Sequence, residues 1–243
     1  MSEIKNVAAS VRQRLLNRAK ETNRPFDELL QYYAMERFLY RLSISKHCDK
    51  FVLKGALMFV VWEGPRSRAT RDIDLAGRTK NSIENLVAIV KEVCGVDAEP
   101  DGMEFQPSNV IGERIKEDAD YEGVRIRFIG HLGQARAAIQ IDIGFGDMIT
   151  PDPIDIDYPV LLDMPAPKLK GYPRETVVAE KFQAMVFLGM INTRMKDFHE
   201  IWILAHQFDF DGKLLGAAVK ETFAHRKTEL TLEPVVFSCV FRT

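Results

Sequence analysis

The order of apolar and polar residues predicts a helical start, a strand-rich middle and a helical end. Val7, Val11, Leu15 and Ala19 recur at every fourth position, which predicts one face of an amphipathic helix over residues 7–19. A second helix is expected to open at Pro25, a residue tolerated in a first helical turn, and to carry Phe26, Leu29, Leu30, Tyr33, Phe38 and Leu42. Phe51-Val52-Leu53 reads as a short strand or as a lead-in to a helix. Residues 55–62 continue as a buried element, and Glu63-Gly64-Pro65 breaks it.

Residues 70–75 then alternate with the strand period of two, so Asp72 and Asp74 share one face and Ile73 and Leu75 the other. Residues 81–94 return to helical spacing, with Ile83, Leu86, Val87 and Val90 on one stripe. Residues 124–129 and 137–143 alternate again around a turn expected at Gly130-His131-Leu132-Gly133, which predicts an antiparallel hairpin. In its second strand Ile139, Ile141 and Ile143 face one way, and Gln140 and Asp142 the other. Residues 151–173 hold six of the eleven prolines and read as an extended, acidic connector ending in Pro165-Ala166-Pro167-Lys168. Helical spacing resumes over 174–188, 194–207 and 214–225. The expected organisation is an α+β region over 1–163 and a helical region over 164–243.

Composition narrows the class without naming a partner. With 243 residues, 46% hydrophobic and 28% charged, the chain can bury a core as one large domain or two small ones, which excludes disorder, collagen and coiled coil. The formal charge of -2 carries no global basic signal of a nucleic-acid binder, but it hides an uneven distribution. Residues 1–54 carry 11 basic and 6 acidic side chains, and residues 97–163 carry 5 basic and 15 acidic ones. Solvated helix and loop faces are the plain explanation. Cys48, Cys94 and Cys239 form no CxxC pair, so neither a disulfide framework nor a zinc finger is supported, and a reducing cytoplasm fits. The longest apolar run, residues 56–62, is far short of the roughly 20 residues that span a bilayer, so no membrane association is expected.

The strand over 70–75 is where chemistry enters. An Asp-x-Asp on a strand points two carboxylates the same way, so Asp72 and Asp74 can reach one Mg²⁺ or Mn²⁺ ion, and Asp142 from a neighbouring strand would complete the cluster. That arrangement suits phosphoryl or nucleotidyl transfer. Around it, Lys54-Gly55-Ala56 offers small residues where a phosphate can approach backbone N–H groups, and Arg66, Arg68 and Arg71, with hydroxyls of Ser67 and Thr70, form a clamp for phosphates. Further on, Lys181 falls on an apolar stripe with Val177, Met185 and Leu188. It either reaches out to solvent or faces the acidic site and the substrate phosphates. Asp197 shares a stripe with Ile201 and Leu204 and points towards the core, so a Lys181–Asp197 pair would satisfy both. His199 and His206 lie on one helix without a third metal ligand in view.

In this order the motifs resemble those of the AbiEii/AbiGii abortive-infection toxins, a branch of the DNA polymerase β-like nucleotidyltransferases. The resemblance begins with Leu53-Lys54-Gly55-Ala56-Leu57 and Arg66-x-Arg68-x-Thr70-x-Asp72-Ile73-Asp74-Leu75. It continues with Ile141-Asp142-Ile143-Gly144-Phe145-Gly146-Asp147, with the lysine helix Glu175–Lys181, and with Arg194-Met195-Lys196-Asp197-Phe198-His199-Glu200-Ile201-Trp202, against a Lys/Arg-Asp-Phe-x-Asp-Leu box. A fainter match lies at Thr222-Phe223-Ala224-His225-Arg226. The resemblance implies a small mixed sheet carrying metal-binding carboxylates and a helical C-terminal region closing over the nucleotide. It makes Asp72 and Asp74 ligands of Mg²⁺, Lys181 a contact of the NTP phosphates and Asp197 an essential acid. Asp142 corresponds less closely because Asp147 lies nearby.

Carried through, the resemblance implies a type IV toxin that transfers a nucleotide from an NTP to RNA, especially a tRNA 3′ end, or to a protein, with a winged-helix antitoxin as cognate partner. The basic residues 1–54 offer RNA a landing surface. Two departures from the family pattern stand out: Ala56 replaces a second glycine, and the sequence ends at Thr243 where relatives continue with helical sequence. They motivate a second reading, a nucleotide-binding regulatory module that has lost catalysis. Ser67 beside the arginines motivates a third, an autophosphorylated state.

Overall fold

The computed structural model of the chain describes residues 6–63, 70–118 and 121–231. Helices α1 (Val7–Thr22) and α2 (Phe26–Ser43) are followed by β1 (Phe51–Lys54), α3 (Ala56–Glu63), β2 (Asp72–Gly77) and α4 (Ile83–Cys94). Strands β3 (Met103–Phe105), β4 (Ile111–Asp118), β5 (Tyr121–Leu132), β6 (Ala135–Phe145), β7 (Ile154–Asp157) and β8 (Lys168–Gly171) come next. Helices α5 (Arg174–Leu188), α6 (Met195–Gln207) and α7 (Gly212–His225) complete the order. Local chemistry fixes several of these starts. The Asn6 side chain accepts the Ala9 N–H at the head of α1, and Ser82 accepts the Asn85 N–H at the head of α4. None of the described helices is long and apolar enough to cross a membrane.

The chain divides into two compact units: one runs through Gly146 and takes in Asp155–Gly171, and the other holds Asp147–Ile154 and the chain from Tyr172 onward. The first unit is built on a mixed sheet of order β3-β5-β6-β2-β1-β8-β7, with β4 also paired to β5. Parallel pairing joins β2 to β6 and β1 to β8, whereas β1–β2, β5–β6, β3–β5 and β4–β5 are antiparallel. Ile73, Leu75, Ile139, Ile141 and Ile143 point into one apolar cluster with Leu15, Tyr33, Phe38, Leu57, Leu86 and Val90. The acidic and amide residues between them therefore share the opposite face of the sheet.

The structure departs from the expected pattern at three places. The hairpin turn lies at Gly133-Gln134 because β5 runs on through Leu132, which is buried and pairs with Ala135. The proline-rich stretch is not a plain connector: Ile156 and Leu169 are buried, and β7 and β8 extend the sheet from it. Strand β3 alternates, with Met103 and Phe105 buried, but over only three residues, and β4 carries no clear alternation; β4 is charged, with Ile111 61% exposed, as a peripheral strand allows.

In the second unit, the segment before β7 is fastened to the helices. The Thr150 N–H donates to Thr176 Oγ1 at 3.0 Å, the Thr176 hydroxyl donates back to the Thr150 carbonyl at 2.8 Å, and the Thr150 hydroxyl bonds Glu221. Helices α5 and α7 meet through Phe182 and Phe223, with ring centroids 5.2 Å apart. Arg226 donates to Gln183 Oε1 at 3.0 Å and to Asp147 Oδ1 at 3.2 Å, while the Tyr172 hydroxyl donates to Asp147 Oδ2 at 3.2 Å. Burial, followed by the charges of Glu180 and Asp147, pushes the Tyr172 phenol well above its ordinary pKa.

Candidate active site

Strand register places the acidic residues before any side chain is considered. Asp74 lies opposite Lys54 on β1 and opposite Asp142 on β6, and Asp142 lies opposite Arg125 on β5, which in turn faces Glu113 on β4. A second row, one pleat along, pairs Asp72 with Gln140 and Gln140 with Arg127. Side chains at paired positions project from the same face, so the central row runs cation, carboxylate, carboxylate, cation, carboxylate. Two like charges directly opposite each other destabilise a sheet, and here they occupy its middle strands.

Gly55 takes a left-handed backbone, φ 71°, between β1 and α3. A β-carbon there would overlap the Asp74 carboxylate, whose Cγ would lie 2.6 Å from it. The glycine expected to admit a phosphate thus makes room for a carboxylate, and both its φ and its missing side chain are required. Ala56, the next residue, begins α3 and is buried.

Arg125 binds Asp142 through two parallel bonds, Nε to Oδ1 and Nη2 to Oδ2, each 2.7 Å. This bonding, against some loss from burial, raises the guanidinium pKa further. Asp72 is pushed up from the ordinary carboxylate value, first by burial and then by the Asp142 charge, against opposing effects of Arg125, Arg127 and Arg71. Asp72, Asp74 and Asp142 offer oxygen donors only, the donor chemistry that hard divalent cations such as Mg²⁺ and Mn²⁺ accept, and Asp72 and Asp74 are the two whose strand positions share one face of β2. Asp142 has turned both oxygens to Arg125. Among the described residues no three His, Cys, Asp or Glu side chains close into a ready metal group.

In the second unit, Lys181 Nζ reaches Asp197 Oδ1 at 2.9 Å and Glu200 Oε2 at 2.5 Å. Burial alone would lower the Lys181 pKa. The charges of Glu200 and Asp197 and their hydrogen bonds outweigh it, so the ammonium is held above its usual value. At 19% exposed the side chain does not run out to solvent; it makes the Lys181–Asp197 pair read from the sequence, with Glu200 as a second carboxylate. Glu200, 4% exposed, was not singled out from the sequence. Its spacing of three from Asp197 on the same helical face was the available signal.

The remaining candidates separate. Lys54 stands beside Asp74 by register, and Arg71 is exposed just before β2. The Thr70 backbone N–H donates to the Tyr32 hydroxyl at 3.0 Å. Arg66, Ser67 and Arg68 lie outside the described residues. Asp147, the alternative third carboxylate, belongs to the second unit and bonds Arg226 and Tyr172, whereas Asp142 is the one in register with Asp74. His199 and His206 flank Trp202 rather than a metal position.

The profile of the family described as nucleotidyl transferase AbiEii toxin, type IV toxin–antitoxin system, matches residues 37–238. Among solved structures, JHP933 from Helicobacter pylori is similar over 80% of this chain and 73% of its own, with TM-score 0.48 and 17% identity. A candidate nucleotidyltransferase from H. pylori is similar over 86% of this chain and 84% of its own, with TM-score 0.47 and 16% identity. No curated protein matches the chain.

Proposed function

The chain belongs to the AbiEii family of nucleotidyl transferase toxins, and on that premise we propose that it transfers a nucleotide from an NTP to the hydroxyl of an RNA acceptor, a tRNA end above all. The observation that carries this reading is the face of β2 and β6, where Asp72 and Asp74 project together and Asp142 stands in register with Asp74. Mg²⁺ or Mn²⁺ held by Asp72 and Asp74 would neutralise the triphosphate and stabilise the charge that develops at the α-phosphorus. The acceptor oxygen bonds the α-phosphorus in line, the bond to the β-phosphate bridge breaks, pyrophosphate leaves, and the hydroxyl proton passes to solvent.

This chain's own residues supply position and charge. Gly55 lets the Asp74 carboxylate sit against the backbone, and the Asp142–Arg125 bridge holds the third carboxylate in the sheet. Arg71 and Lys54 add positive charge beside the acids for the NTP phosphates, and the sequence next to them supplies two further guanidinium groups, Arg66 and Arg68, and the hydroxyl of Ser67. Lys181, fixed by Asp197 and Glu200, is the cation that the family resemblance assigns to nucleotide phosphates. Helix α1 carries Arg12, Arg14, Arg18 and Lys20 against Glu21, a basic surface suited to an RNA backbone. As a toxin it is proposed to act beside a winged-helix antitoxin in the cytoplasm.

Incubation of the protein with labelled NTPs, Mg²⁺ and total tRNA tests the reading. Label should pass to RNA with wild type and not with Asp74→Ala. Equal transfer by both, or none by wild type with any NTP, overturns it. Expression should arrest growth, and Asp74→Ala should relieve the arrest.

A further inference from the structure

Helix α6 sorts its side chains by charge. Both of its carboxylates, Asp197 and Glu200, are turned inward onto Lys181 and are 5% and 4% exposed. On the outside, Met195, His199, Trp202 and His206 follow at i, i+4, i+7 and i+11, which aligns them in one row about 16 Å long at 1.5 Å per residue, with exposed Lys196 beside it. No carboxylate of α6 faces solvent.

The rings in this row are arranged rather than scattered. Trp202 is 56% exposed although an indole offers one of the largest apolar surfaces a side chain can bury. His199 lies within 10° of parallel to it at 6.1 Å between centroids, and His206 packs at 4.2 Å on a 34° tilt. His206 Nδ1 donates to the Trp202 carbonyl at 2.8 Å, which fixes the imidazole in place and sets its tautomer. Flat exposed rings with a lysine beside them and no outward carboxylate on the helix form a surface on which unpaired bases can stack while a phosphate is attracted. An apolar protein partner fits less well, because lysine is depleted from the cores of such interfaces.

We propose that the outer row of α6, centred on Trp202, is a stacking surface for unpaired RNA nucleotides. This rests on the RNA-acceptor reading for its purpose, but not for its test, which involves no transfer. The full chain is titrated into a fluorescein-labelled single-stranded oligoribonucleotide of eight nucleotides without NTP, followed by anisotropy. Trp202→Ala should weaken binding by about tenfold or more, and Trp202→Phe, which keeps a flat ring, by about threefold or less. Trp202→Leu should weaken it as Ala does, and Lys196→Ala should weaken it about two- to threefold with a shallower salt dependence.

Unchanged affinity in both Trp202→Ala and Trp202→Leu overturns the proposal, as does equal competition by duplex RNA of the same length. So does a dimer in sedimentation that Trp202→Ala dissolves without altering RNA affinity, which assigns the row to a second copy of the chain. A silent transfer assay beside Trp202-dependent binding counts against the acceptor reading alone. Active transfer to RNA with Trp202-independent binding counts against this surface alone.

Discussion

Two groups of carboxylates, one in each unit, treat their charge in opposite ways. On α5 and α6, Asp197 and Glu200 close around the ammonium of Lys181, all three nearly buried, and the two carboxylates hold the lysine above its usual pKa. On the sheet of the first unit, Asp74 and Asp142 are set opposite each other by strand register between Lys54 and Arg125, Arg125 grips Asp142 with two bonds, and Asp72 is pushed towards its neutral form. The first arrangement is settled within the protein and serves to fix a lysine. The second keeps negative charge gathered on partly exposed strand positions, a cost that ligand binding can relieve. Clustered acidic residues can therefore close around a buried lysine or stay gathered on a partly exposed sheet face, and burial together with pairing separates the two cases.

The comparison can be broken experimentally, and the largest expected effect is on chemistry. Asp74→Asn should lower nucleotide transfer by at least about 10³-fold while leaving the denaturation midpoint close to wild type. A fold that collapses instead would show Asp74 to be structural. Next in size, Lys181→Met leaves two buried carboxylates facing each other and should cost about 3–5 kcal/mol in urea unfolding, with much of it recovered when Asp197→Asn and Glu200→Gln are added. A loss under about 1 kcal/mol would mean that the clamp is not settled internally.

Gly55→Ala comes third. The left-handed backbone alone costs about 1–2 kcal/mol for an alanine, and the new β-carbon must displace the Asp74 carboxylate. Transfer should fall with stability in this variant, and normal transfer would show that Asp74 need not sit against the backbone. The smallest effect on stability should carry the opposite sign. Asp72 is raised in the folded state, so its protonated form contributes stability that is present below the ordinary carboxylate pKa and lost as pH rises through the higher folded value. Asp72→Asn should therefore raise the Tm at pH 7 by about 2 °C or less while abolishing transfer, and should flatten that part of the stability profile. A lower Tm would place Asp72 with Asp197 and Glu200 instead.

Much of the fold was legible because the elements that build it have one clear face. The stripe of Val11, Leu15 and Ala19 and the alternation of Ile73 and Leu75 with Asp72 and Asp74 state both the element and its buried side. Strand β4 could not be read because a peripheral strand in water has little pressure to alternate, and β7 and β8 were obscured by the prolines around them. In the candidate site, Asp72, Asp74 and Asp142 were visible as a period-two pattern. That Asp142 stands against Asp74 rather than a neighbour is a matter of register between distant strands, which spacing along the chain does not encode. Arg125 and Glu200 were missed for a related reason, since each gains its role from a partner on another element. The Gly55 contact with Asp74 was hidden because φ and close approach leave no mark on composition.

The parallel pairing of β2 with β6 also sets an order in time. Asp72 and Asp74 emerge during synthesis before α4, β3, β4 and β5, whereas Asp142 arrives only with β6, so the chain must close a long loop to bring the acids into register. Closing such a loop costs entropy before the contact returns anything, and pairings of this kind form slowly. A nascent or partly folded chain therefore carries the acidic motif without its assembled face. In a member of this toxin family, the acidic face is therefore complete only once β6 has joined the sheet of the first unit.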